Sequence, residues 1–110
     1  MTNLEIINHI NSLNEFVSKD KSIPGKLGYA ISRNIKIMMD EYNIYAEERK
    51  KILNGESESE ISAEKMQQIQ EILEVDVDLN LIKIDSTVMD RCDNLSAKDW
   101  LALEFMIKEE

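Results

Sequence analysis

The stretch from Ile23 to Leu53 reads as one uninterrupted helix, and no other feature of the chain limits its folds so strongly. Ser22 followed by Pro24 is a start signal, because the fixed φ of proline suits a first helical turn, where its missing N–H is not needed. Asn54-Gly55 is a stop signal, since glycine enters the left-handed C′ conformation without steric cost. At a rise of about 1.5 Å per residue, this helix is roughly 45 Å long. Its apolar seam comprises Leu27, Ile31, Ile35, Met38, Tyr42, Tyr45 and Ile52, with Gly28 and Ala30 small enough for a neighbouring helix to approach closely.

The remaining elements are arranged around this rod. Residues 2–18 form a first helix, opened by a capping box between Thr2 and Glu5. Leu4, Ile6, Ile7, Ile10, Leu13, Phe16 and Val17 give it one apolar stripe. The polar link Lys19-Asp20-Lys21-Ser22 is short, so helices 2–18 and 23–53 are expected to pack as an antiparallel hairpin. The second is nearly twice as long as the first, and its distal half, Tyr42 to Ile52, requires another partner. Residues 55–61 are an acidic loop. Ser62 caps a helix over 62–74 that buries Met66, Ile69, Ile72 and Leu73, with Ile61 stapled onto Met66.

Val75-Asp76-Val77-Asp78-Leu79-Asn80-Leu81 alternates strictly, the pattern of a strand with one wet face, within an extended segment 75–84. No second alternating run exists to pair with it. It therefore either meets the same segment of another subunit or lies as a strap on the helices. Leu95, Ser96 and Asp99 open a last helix over 97–108. Its apolar residues Trp100, Leu101, Leu103, Phe105, Met106 and Ile107 point to more than one side, which implies burial on two faces and a subunit interface. The expected fold is one mainly α domain spanning 1–110: a long helical hairpin, two shorter helices and one extended segment, assembled as a homo-oligomer.

Composition removes several functions. The chain has 110 residues, with 22 acidic and 13 basic side chains and a net charge of −9. Whole-chain repulsion opposes the counterion release that drives broad nucleic-acid binding. No apolar run is long enough to span a membrane and no leader pattern opens the sequence, so a cytoplasmic protein is expected. One cysteine, Cys92, and one histidine, His9, exclude an internal disulfide and a Cys/His metal cluster. Nor is Asp76-Val77-Asp78-Leu79-Asn80 a calcium loop, because its sixth position is Leu81 and its twelfth is Thr87. Cys92 and His9 lack an orienting group and oxyanion donors at any recognisable spacing, and Cys92 is expected to pack beside Met89 and Leu95. No enzyme, metal or cofactor is expected.

The charge is unevenly divided. Residues 1–55 carry 8 basic and 7 acidic side chains, whereas 56–110 carry 5 basic and 15 acidic. Within the first half, Lys19, Lys21, Lys26, Arg33 and Lys36 face only Asp20 over residues 19–36. Lys26, Tyr29, Arg33 and Lys36 recur at steps of three, four and three, which aligns them on one helix face beginning at the helix N-terminus. Arg33 can grip a phosphate with two N–H groups, Tyr29 can stack on a base or ribose, and the lysines add point charge. These four residues are the candidate ligand-binding site. The bland alternative is a solvated face whose bases pair with the acidic half.

The run Ile23-Pro24-Gly25-Lys26-Leu27-Gly28-Tyr29-Ala30-Ile31-Ser32-Arg33-Asn34, continued by Glu41, Tyr45 and Glu47-Glu48-Arg49-Lys50-Lys51-Ile52-Leu53, resembles a family of small uncharacterised proteins from phages and prophages of Gram-positive bacteria. The likeness continues through the charged loop, the short helix, Glu74-Val75-Asp76-Val77-Asp78 and the Leu95-Ser96 helix start. It implies a phage-encoded accessory protein acting in the host bacterial cytoplasm and brings no site residues with it. On this basis the expected function is non-catalytic binding: a host-defence antagonist that sequesters a small anionic, nucleotide-like ligand. A protein-binding inhibitor of a host factor using the acidic half, or a virion-assembly accessory protein, is the alternative.

Overall fold

The structure is a computed structural model that describes residues 1–19, 22–57, 59–92 and 95–108. Among these residues the chain runs through α1 (Asn3–Ser18), α2 (Gly25–Leu53), α3 (Ala63–Leu73), α4 (Ser86–Met89) and α5 (Ala97–Leu103), and α5 passes into a 3-10 turn, Glu104–Met106. The protein is mainly helical. Asp20 and Lys21 of the polar link and Glu58 of the acidic loop lie outside the described residues.

Local capping accounts for most helix ends. In α1 the Glu5 N–H donates to Thr2 Oγ1 at 3.1 Å and the Thr2 N–H donates to Glu5 Oε1 at 2.9 Å, the reciprocal box expected there. Ser62 Oγ accepts from the Lys65 N–H at 3.2 Å at the start of α3. Ser96 and Asp99 exchange the same pair of bonds at the start of α5. The long helix begins at Gly25 rather than Ile23, because Pro24 sits at the N-cap and its carbonyl accepts from Leu27 and Gly28. It ends with both Asn54 (φ 48°) and Gly55 (φ 87°) in the left-handed region.

The core forms where α1 packs on α2 and α5 closes over α1. Ile6, Ile10, Leu13 and Phe16 meet Leu27, Ala30, Ile31 and Met38, together with Ile84, Val88, Met89, Leu103 and Met106. Apart from Ala30, each such side chain stabilises the fold by about 1.5–3 kcal/mol through area removed from water. The distal half of α2 is partnered by α3, where Tyr45 and Ile69 are buried. Met66 does not join them: it is 56% exposed, and the inward side of α3 carries Ile69 with the half-buried Ile72 and Leu73 instead.

Residues 75–84 contain no strand. Their alternation survives as half-buried Val77, Leu79 and Leu81 between exposed Asp76, Asp78 and Asn80, with isolated bridges of Thr2 to Asp76 and of Ile84 to Ile107 in place of a ladder. Three attachments hold this connection. At one end the Val77 N–H donates to the Met1 carbonyl at 2.7 Å and the Asn3 N–H donates to that of Val75 at 3.2 Å. At the other end the Ile84 N–H donates to the Met106 carbonyl at 2.9 Å, and the Lys108 N–H donates to that of Ile84 at 2.7 Å. In the middle the carboxamide of Asn34, fully buried on α2, accepts from the Ile82 N–H at 2.7 Å and donates to the Ile82 carbonyl at 2.9 Å. The same carboxamide nitrogen lies 3.7 Å from Met106 Sδ.

The last helix is shorter than expected. Regular α structure stops at Leu103, the chain tightens into the 3-10 turn, and Ile107 is extended, which lets Lys108 reach the backbone of Ile84. An α-helix continued to Lys108 would forfeit that attachment. His9 on α1 stacks on Phe105 of this turn with ring centroids 4.0 Å apart.

The Asn34 carboxamide occupies both polar groups of Ile82, and an unsatisfied buried group costs about 1–3 kcal/mol. Asn34→Leu, which fills the space without the bonds, is expected to lower the unfolding free energy in urea by about 2–4 kcal/mol; stability at or above wild type would refute this role. Burial lowers the pKa of His9 below its ordinary 6.5, with Lys83 acting in the same direction and Glu5 against it. The unfolded chain therefore takes up this proton first: the contribution is complete above about pH 6.5 and is lost as pH falls through the lowered folded value. His9→Phe, which keeps the stacking, is expected to flatten the slope of stability between about pH 7 and pH 5. An unchanged slope would place the titration elsewhere.

Candidate anion-binding face

α2 positions all four predicted residues. Lys26 lies in its first turn, and Tyr29, Arg33 and Lys36 follow on the side turned away from Leu27, Ala30, Ile31, Asn34 and Met38. All four are exposed, Tyr29 at 62%. Residues three and four apart on a helix are neighbours, so Tyr29 sits between Lys26 and Arg33, and Lys36 completes a stripe about 15 Å long. The first turn of α2 holds no acidic residue and its N-cap makes no side-chain hydrogen bond, so the positive end of the helix dipole adds to the charge of Lys26.

The structure divides the basic window. Lys19 is withdrawn from it: its Nζ lies 2.8 Å from Oδ1 of Asp99, a residue 1% exposed in α5. Beside it Lys98 of α5 pairs with Glu15 of α1 at 2.6 Å, which pulls the Glu15 carboxyl below its usual range and raises Lys98. These two pairs join α1 to α5. The cleft between them, lined by Ser12 and Phe16 among others, holds about 130 Å³, below the roughly 300–1,000 Å³ of ordinary ligand sites. Lys21 lies outside the described residues. Lys26, Arg33 and Lys36 make no ion pair with any described residue. Among those residues, then, the acidic half does not neutralise this face by contact.

The other sequence candidates are engaged elsewhere. The half-buried Cys92 thiol donates to the Val88 carbonyl at 3.7 Å, while His9 packs on Phe105. Among the described residues no three His, Cys, Asp or Glu side chains are grouped to hold a metal, and no helix is long and apolar enough to cross a membrane. Asn34 was missed by pattern reading, although the steps Leu27, Ile31, Asn34, Met38 place it squarely in the apolar seam. A lone amide at a seam position is itself the signal of a buried polar contact. No known protein family matches the sequence, and neither curated proteins nor solved structures show a significant similarity to it.

Because these cations are exposed and make no ion pair with any described residue, Lys26→Ala, Arg33→Ala and Lys36→Ala are each expected to change the unfolding free energy by less than about 0.5 kcal/mol. A larger loss in a thermal or urea melt would assign the stripe a structural role.

Proposed function

We propose that this chain is a non-catalytic accessory binding protein of phage type, working in the host bacterial cytoplasm, that captures a small anionic, nucleotide-like ligand on the face formed by Lys26, Tyr29, Arg33 and Lys36. One observation carries the proposal: three cations and an exposed aromatic ring share one helix face, unpaired among the described residues, in a chain of net charge −9. Arg33 supplies the bidentate grip on a phosphate, Tyr29 the stacking surface, and Lys26 and Lys36 the flanking charge. A single convex helix leaves such a ligand half in water. Capture therefore requires a second surface, and homo-oligomerisation supplies it by bringing a second copy to the ligand.

Ligand binding to the folded state alone raises stability by RT ln(1 + [L]/Kd), about 1.4 kcal/mol at ten times Kd. For a domain of this size the melting temperature should rise by about 5–10 °C with the bound member of a panel of mono-, di- and cyclic nucleotides. Arg33→Ala should abolish the shift while keeping the unliganded melting temperature. Absence of any shift across the panel would overturn the proposal in favour of a protein-binding inhibitor, whose capture of a host factor would survive Arg33→Ala.

A further inference from the structure

The outward side of α2 continues beyond the basic stripe. Counting on from Lys26, Tyr29, Arg33 and Lys36 at steps of three and four, it carries Asp40, Ile44 and Glu47, all exposed, with the half-buried Ile37 at its margin. The large apolar side chains that α2 exposes are Tyr29 and Ile44, at 62% and 60%. Asp40 and Glu47, like Lys26, Arg33 and Lys36, make no ion pair with any described residue. Lys51, further along this side, is taken by Glu48 at 3.0 Å. A strip about 33 Å long thus runs from basic to acidic, with one exposed apolar side chain in each half.

The order of these groups identifies what fits them. Lys26 and Glu47, Tyr29 and Ile44, and Arg33 and Asp40 are pairs centred on one point, midway between Lys36 and Ile37. A second α2 laid antiparallel across this face, with a two-fold axis through that point, exchanges positions end for end. Arg33 of each copy then stands opposite Asp40 of the other, Lys26 opposite Glu47, and Tyr29 opposite Ile44. A two-fold contact sets a strip against its own reversed image, so only a strip whose halves complement each other in charge gains from it. A uniformly basic or uniformly acidic partner would satisfy one half and be repelled by the other. The shallow crossing of about 20° found between bundled helices keeps two such strips in contact along their length. We infer that the face from Lys26 to Glu47 seats the α2 helix of a second copy, antiparallel about a two-fold axis between Lys36 and Ile37. The inference rests on the oligomeric part of the proposed function. Lys36 of both copies flanks the axis with no acid opposite, and Arg33, with five N–H donors, has enough for Asp40 and a phosphate together.

Charge exchange tests the register directly. The wild type is expected to double its mass in light scattering as its concentration rises through the micromolar range, because the strip is at the small end of specific interfaces. Arg33→Asp sets carboxylate against carboxylate twice over in the two-fold contact, and Asp40→Arg sets cation against cation. Each variant alone should dimerise about tenfold or more weakly than wild type, with its melting temperature at low concentration kept because both positions are exposed. Mixed in equal amounts, the two variants should dimerise with each other at near wild-type affinity, since every contact again joins acid to base. The double variant Arg33→Asp/Asp40→Arg should regain the homodimer for the same reason. A wild type that stays monomeric at the highest concentration, single variants that dimerise like wild type, or a mixture as monomeric as its components would overturn the inference. The nucleotide melting shift, read on the wild-type samples, separates the two proposals: a dimer without a shift rejects only the ligand, and a monomer with a shift rejects only this contact.

Discussion

The Asn34 carboxamide carries more of the architecture than any other polar group. Residues 75–84 cross the helices with no sheet to take their backbone hydrogen bonds, and a buried peptide group left unpaired costs about as much as a lost hydrogen bond. Asn34 takes the place of a neighbouring strand, offering one acceptor and one donor to the same residue, Ile82, in the spacing a peptide unit would present. With the middle pinned to α2 and the ends pinned to Met1–Asn3 and to Met106–Lys108, the connection brings Ile84, Val88 and Met89 into the core. An amide placed in the hydrophobic seam of a long helix is a liability for that helix alone. It becomes an asset only because one particular stretch of chain lies against it.

Electrostatics follow a similar division of labour. Lys19, at the C-cap of α1, is spent on Asp99, a carboxylate that also caps α5, so one buried charge serves a helix end and an interhelical contact at once. The exposed Lys98–Glu15 pair lies beside it and is worth little by itself in water. Lys26, Arg33 and Lys36 on α2 make no ion pair with any described residue. Charge used for folding and charge presented to solvent thus lie as close in the chain as Lys19 and Lys26, and only the second kind is available to a ligand.

The features legible in the sequence are those set within a turn of helix. The capping boxes Thr2–Glu5 and Ser96–Asp99, the Ser62 cap and the Asn54-Gly55 stop all depend on groups at most four residues apart, and all appear in the structure. The exposure of Lys26, Tyr29, Arg33 and Lys36 follows from the same periodicity. The alternation over residues 75–81 misled because period two records which side chains are half-buried, not what the backbone bonds to; a connection lying on helices alternates as a strand does. The staple rule points Met66 inward, but α3 turns Ile69 to the neighbouring helices and leaves Met66 on its outer side.

The sequence by itself determined the caps that open α1, α3 and α5, the stop of α2 at Asn54-Gly55 and the segregation of charge between the halves, because these depend on neighbouring residues and on composition. The tertiary structure alone decided that Asn34 holds Ile82, 48 residues away, that Lys19 is taken by Asp99, 80 residues away, and that α5 gives way to a 3-10 turn so that Lys108 can reach Ile84. Each of these contacts joins groups whose chemistry is ordinary and whose meeting is set by how whole helices pack, information that no local pattern carries.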